Sequence, residues 1–207
     1  MSKIKNLLFD LGGVLLNIDY NKTANAFELL GVKQFDELYS QADANDLFES
    51  LETGKISEDD FYITMKKHCN PNTSEEQIKI AWNKMLLSFR IDSLNHLIKL
   101  KENYNILLLS NTNSIHLKEF TKIFQKETGK SSLDDYFLKT YYSHIIKERK
   151  PYVETYINVL NNAGIKAEET LFIDDSIKNI EGAALAGLCV YHLLETEKIE
   201  QISYSQF

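Results

Sequence analysis

The sequence predicts an α/β protein: a parallel sheet with helices on both faces, carrying a small all-helical insertion after its first strand. Three observations predict it. Continuous apolar runs at residues 4–9, 105–109, 170–173 and 188–191 read as strands buried on both faces. From the second run onward, amphipathic helical patterns separate the runs, and strand–helix alternation of this kind builds a parallel sheet. Between the first and second runs, residues 20–90 keep helical periodicity and offer no convincing strand.

The elements follow in order. The first strand, residues 4–9, runs into Asp10, and Gly12 and Gly13 then let the backbone turn sharply. Val14, Leu15 and Leu16 make a short apolar return. In the helical stretch, Ser57 followed by Glu58, Asp59 and Asp60 marks a helix start, with Phe61 and Met65 one turn apart. Ser74 and Gln77 form a capping box before Ile78, Ala81, Trp82, Met85 and Leu86, which share one helical face. Gly31 and Gly54 divide the stretch into short helices. This places a helical unit at residues 19–90 and a sheet core at 1–18 and 91–207. Leu94 and Leu97 begin the next helix, residues 105–109 the second strand, and 115–124 another helix. Residues 140–142 are a weaker strand. A helix over 152–162 stops at Gly164, the strand at 170–173 follows, and Ile177, Ile180, Ala183 and Ala184 start a helix that ends before Gly187. Residues 188–191 are the last strand.

Composition narrows the function. A chain of 207 residues with 43% hydrophobic content can bury one sizeable core and a small second unit. The net charge of -7 argues against nucleic acid as a partner, because an acidic surface repels phosphate backbones. Cys69 and Cys189 stand far apart, outside any metal-ligand spacing, and are expected to be reduced, buried thiols. The histidines are scattered singly, which excludes the common zinc patterns. No apolar run approaches the roughly 20 residues needed to span a bilayer. Residues 1–5 carry no apolar leader, so a cytoplasmic protein without membrane partners is expected, as a monomer or small homo-oligomer.

The chemistry lies where the strands end, since ligands of open α/β sheets bind at the carboxyl edge. Asp10 follows the first strand, and Ser110, Asn111, Thr112 and Asn113 the second. Lys147, Glu148, Arg149, Lys150 and Pro151 follow the third, and Asp174, Asp175 and Ser176 the fourth. Singly, each has a bland reading: a turn former, a run of helix caps, a solvated basic loop, a capping acid. Jointly they put a nucleophilic acid, hydroxyls and free N–H groups, a lysine and paired acids along one edge. Adjacent carboxylates repel unless a cation compensates, and hard cations such as Mg²⁺ take carboxylate oxygens.

With these residues in view, the chain resembles the haloacid dehalogenase-like hydrolase superfamily, in its helical-cap subgroup. The resemblance rests on Phe9, Asp10, Leu11, Gly12, Gly13 and Val14; on Leu109, Ser110, Asn111, Thr112 and Asn113; on Arg149, Lys150 and Pro151; and on Asp174, Asp175 and Ser176 with Asn179, Ile180, Glu181, Gly182 and Ala183. More narrowly it is similar to bacterial sugar-phosphate phosphatases of the glucose-1-phosphate type. The resemblance implies a Rossmann-like core, a cap domain, and a Mg²⁺-dependent phosphatase of a small phosphate ester, a sugar phosphate among the candidates. It implies Asp10 as nucleophile, forming an aspartyl-phosphate. Asp10, Asp175 and the Gly12 carbonyl would be the metal ligands, with Asp174 supporting through water. Ser110, the Asn111 backbone N–H and Lys150 would hold the substrate's phosphoryl oxygens. One departure stands out. Most phosphatases of the superfamily carry a second aspartate, the general acid, where this chain has Gly12. That leaves a catalytically silent phosphometabolite binder as an alternative, with a 2-haloacid dehalogenase behind it. Asp19 is a candidate replacement acid, and Arg90 a candidate ligand contact or a surface salt bridge.

Overall fold

A computed structural model describes residues 4–33, 35 and 42–207, with side chains in the last stretch from 47 onward. The chain opens with β1 (Asn6–Phe9) and turns through the glycines into β2 (Leu16–Ile18). Among the described residues, four helices follow: α1 (Tyr20–Leu29), α2 (Ala42–Glu52), α3 (Glu58–Lys66) and α4 (Glu75–Asn83). β3 (Leu86–Phe89) brings the chain back. Alternation then runs through α5 (Ile91–Leu100), β4 (Asn105–Ser110), α6 (Ser114–Thr128), β5 (Lys139–Tyr142) and the single turn α7 (Ser143–Ile146). It ends with α8 (Val153–Ala163), β6 (Thr170–Asp174), α9 (Ile177–Leu185) and β7 (Cys189–His192).

Five strands form one parallel sheet in the order β5-β4-β1-β6-β7. The pleat sorts its side chains onto two faces. Leu7, Phe9, Ile106, Leu108, Leu171 and Ile173 join one buried cluster, whereas Leu8, Leu107, Leu109 and Phe172 join the other. Helices cover both, which is why these strands read as continuous apolar runs. β1 is central, with β4 and β6 on either side, so Asp10 leaves the sheet at its topological switch point.

The helices between β2 and β3 have a core of their own, rich in aromatic rings. Phe27 stacks on Phe35 at 4.6 Å, and Phe48 on Trp82 at 5.1 Å. Phe61, Met65 and Ile78 are fully buried there, each contributing about 1.5–3 kcal/mol of transfer free energy. Both predicted helix starts are capping boxes, Ser57 with Asp60 and Ser74 with Gln77. The core reaches the sheet's own helices through α6: Ile115 joins the aromatic cluster and His116 stacks on Trp82 at 4.7 Å.

Two expectations need correcting. Residues 20–90 are not purely helical, since β3 pairs antiparallel with β2. Met85 and Leu86 continue the apolar face of α4 and so read as helix, but α4 stops at Asn83. The strand's partner lies some seventy residues upstream, beyond the reach of local periodicity. The cysteines are free, as expected, but half-buried. No helix among the described residues is long and apolar enough to cross a membrane.

Candidate active site

Asp10 sits just past β1, its N–H bonded to the Ile173 carbonyl at 2.9 Å, so the two central strands fix its backbone. Lys150 reaches across from the loop before α8. Its Nζ lies 2.6 Å from Asp10 Oδ1 and 2.6 Å from Asp174 Oδ2, and its side chain is 1% exposed. The loop is held in place by Asn111, whose amide accepts from the Lys150 N–H at 3.0 Å and donates to the Lys150 carbonyl at 2.9 Å. This side-chain clamp is a role that the sequence did not disclose. Next to it, the Ser143 hydroxyl bonds both the N–H and the carbonyl of Thr112 at 2.8 Å, fixing the turn after β4.

Asp174 is fully buried and its oxygens are committed. Besides Lys150, it accepts from the Ser176 N–H at 2.8 Å and from the Asn179 amide at 3.0 Å to each oxygen. Its partners make it an anchor of Lys150. Asn179 was visible only as part of a motif, and its reach back over one turn of α9 gives it this function. Asp175 is the exposed member of the acidic pair. Gly13 takes a left-handed φ of 68°, and the Asp175 carboxylate occupies the space that a Cβ there would need. Glycine is therefore required at 13 on both counts.

The electrostatics are unbalanced. Oxygens of Asp10, Asp174 and Asp175 all lie within 4.8 Å of one another, against a single buried ammonium. Burial, reinforced by Asp174 and Asp175 and opposed by Lys150, pushes the Asp10 carboxyl up to about 7. Burial and Asp174 likewise raise Asp175. Burial alone would lower the Lys150 ammonium, but Asp10 and Asp174 outweigh it and its pKa rises. Surplus negative charge on an all-oxygen donor set is what a hard divalent cation relieves, so these residues fit Mg²⁺.

Around this centre lies a cavity of about 270 Å³, near the lower end for small-molecule sites. The structure brings Asp10, Gly12, Ser110, Asn111, Lys150 and Asp175 together in its wall. The helical segment closes the other side with Tyr20, Glu52, Trp82 and Met85. Glu52 and Arg149 were assigned no role from the sequence, since nothing in an acidic helix or a basic loop signals that they meet. Asp19 is not among the lining residues: its side chain caps α1, accepting from the Asn21 N–H at 3.1 Å. Arg90 does not line this cavity and makes no salt bridge among the described residues; it donates to Asn17 Oδ1 at 2.8 Å and to the Val14 carbonyl at 3.4 Å, tying the β2–β3 ribbon. Asn113 is the plain helix cap, accepting from the His116 N–H at 3.0 Å.

Comparison with known proteins agrees with this geometry. The family model for haloacid dehalogenase-like hydrolases matches residues 4–187. A D-ribitol-5-phosphate phosphatase from Bacteroides thetaiotaomicron is 32% identical over 86% of this chain and 85% of its own length. A HAD family enzyme crystallised from the same organism superimposes with a TM-score of 0.88 at 37% identity, covering 96% of this chain and 98% of that one. Its complex with magnesium and inorganic phosphate gives 0.86 at the same identity, covering 95% and 97%. A predicted HAD-like family hydrolase from Porphyromonas gingivalis gives 0.84 at 28% identity, covering 95% and 94%. With its sheet, its edge of carboxylates and its matching relatives, this chain belongs to the haloacid dehalogenase-like hydrolase family.

Proposed function

We propose that the protein is a Mg²⁺-dependent phosphatase acting on a small phosphorylated sugar or polyol. The observation that carries this reading is Lys150, held between Asp10 and Asp174 at the switch point of the sheet. The named activity of the ribitol-phosphate relative and the magnesium and phosphate held by the crystallised relative support it. In this reading residues 1–18 and 91–207 are the catalytic core, and residues 19–90 are a cap that encloses the organic part of the ester.

Asp10, Asp175 and the Gly12 carbonyl would hold Mg²⁺, which when bound supplies positive charge to screen the phosphoryl oxygens and lower the Asp10 carboxyl into its ionised form. An Asp10 oxygen attacks phosphorus, the bond to the ester oxygen breaks, the released oxygen takes a proton from water to leave as the alcohol, and an aspartyl-phosphate forms. Lys150, already ion-paired with the attacking carboxylate, neutralises charge on the transferring group. Ser110 and the Asn111 N–H orient its oxygens, which is most of what phosphoryl transfer asks of a protein. Water then cleaves the acyl phosphate and frees Asp10. Gly12 offers no proton to the leaving oxygen, and a general acid is worth about 10²–10⁴-fold. Without one at that position, turnover is expected to be slow on esters with poor leaving groups.

The test is phosphate release, with Mg²⁺ present, over a panel of sugar and polyol phosphates, nucleotides and acyl phosphates. Release should cease with EDTA and with Asp10→Asn. Tight binding of a panel member without turnover would replace the phosphatase by a phosphometabolite binder. Halide release from 2-haloacids without Mg²⁺ would point to dehalogenation.

A further inference from the structure

The wall of the cavity contains a charged pair whose hydrogen-bonding capacity is only partly spent. Arg149 directly precedes Lys150. Its Nη1 lies 3.1 Å from Glu49 Oε2, and its Nη2 lies 3.0 Å from Glu52 Oε2. The Glu52 contact is close but poorly aligned, so Glu52 Oε2 has no hydrogen-bond partner among the described residues. Arg149 Nε has none either, and both atoms are enclosed. Glu52 and Arg149 both line the cavity that holds the reactive centre, and each keeps one enclosed polar atom without a hydrogen-bond partner.

We infer that Glu52 and Arg149 form the leaving-group subsite, taking a hydroxyl of the organic part of the ester, and so select polyol-type over plain alkyl phosphates. This rests on the phosphatase reading and names its substrate class. The chemistry narrows the occupant. A hydroxyl both donates and accepts, so it satisfies the Glu52 oxygen and the Arg149 N–H together. A second anionic group would face Glu49 and Glu52. An ammonium cannot accept from Arg149. An alkyl group would leave both polar atoms buried and unpaired, the arrangement by which sites built for a hydroxyl reject analogues lacking it.

The pair is rigidly presented. Glu52 ends α2, and two residues on Gly54 turns with a φ of 59° close against the His144 carbonyl. The Lys147 ammonium donates to the Gly54 carbonyl at 2.8 Å, pinning this end of the helix to the segment that leads to Lys150. Tyr152 holds Glu49 from the far side at 3.3 Å. Burial, with Glu49 adding and Arg149 and Lys150 opposing, raises the Glu52 carboxyl, as expected of a carboxylate short of donors.

The experiment compares kcat/KM for ribitol 5-phosphate with that for n-pentyl phosphate, which has the same carbon chain without hydroxyls. The wild type should favour the polyol ester by at least about 100-fold. Glu52→Ala and Arg149→Lys should each reduce that ratio at least about tenfold, whereas Glu52→Gln, which keeps an acceptor oxygen, should retain most of it. A ratio unchanged in Glu52→Ala and Arg149→Lys overturns the subsite. So does a parallel fall on both esters, which is the signature of a purely structural latch. Phosphate release from no ester at all, p-nitrophenyl phosphate included, fells the phosphatase reading itself and the subsite with it.

Discussion

His116 should make the protein acid-sensitive through the joint between its two hydrophobic units. The imidazole is buried against Trp82, with Nδ1 3.2 Å from the Asn113 amide nitrogen and Nε2 3.2 Å from the Trp82 carbonyl. An amide nitrogen only donates, so Nδ1 accepts and the single proton sits on Nε2, facing the carbonyl. Protonating Nδ1 would oppose two donors inside a ring stack. Burial, partly opposed by the Trp82 carbonyl, holds the His116 pKa down at about 4, against 6.5 when unperturbed. Above pH 6.5 both folded and unfolded chains are neutral here. Below it the unfolded chain takes a proton that the native state refuses until about pH 4, so stability falls as pH drops through that window. The full effect is about 3 kcal/mol, of which about 2 kcal/mol is lost between pH 7 and pH 5. The assay is urea unfolding at both pH values for the wild type and His116→Gln. Fluorescence of Trp82, the one tryptophan, reports the joint and circular dichroism the whole fold. Asp10, Glu52 and Asp175, whose carboxyls are raised, push stability the other way in both proteins and cancel in the comparison. The variant should lose about 2 kcal/mol less than the wild type on acidification. Equal losses would refute the assignment of a neutral, buried His116.

Three further outcomes follow from the same geometry. Lys150→Met, studied without divalent cations, strands Asp10 and Asp174 and should cost about 3–5 kcal/mol in urea unfolding. Adding Asp10→Asn, which removes one of the two stranded carboxylates, should recover part of that loss; additive effects would show that the Asp10 and Lys150 charges are not coupled. Asp10→Asn alone, which removes a carboxylate already forced toward its neutral form, should leave stability at pH 8 unchanged or higher, and a loss above about 1 kcal/mol would contradict the crowding of charge described here. Gly182→Ala drives a Cβ into the Pro151 carbonyl, so α9 must part from the lysine loop. It should cost about 1–3 kcal/mol and lower activity together, and a fully stable, active variant would show that the contact is loose.

The sheet was legible because strands buried on both faces need no pattern subtler than an unbroken apolar run. The carboxyl edge was legible for the same reason: Asp10, Ser110 and Asp174 mark the abrupt change to polar residues where each run stops. What escaped depends on pairs distant in sequence. Leu16 opposite Phe89, Glu52 against Arg149, and His116 upon Trp82 are each unremarkable alone. The side-chain duties of Asn111 and Asn179 were hidden differently. An asparagine near a helix start has an ordinary capping explanation, and only the orientation of its amide distinguishes a cap from a clamp.

The β2–β3 ribbon has a wider consequence. Leu16 faces Phe89 across it, and the Arg90 N–H reaches the Leu15 carbonyl at 2.8 Å, so the chain departs for the helices and returns at adjoining points. Everything between could be exchanged for another module, or for a short hairpin, without moving a strand of the main sheet. In the proposed reading, the residues that would attack phosphorus and the helices that would enclose what it is attached to are thus linked through the chain at one two-stranded stalk, and elsewhere meet only through side-chain and packing contacts that substitution can alter.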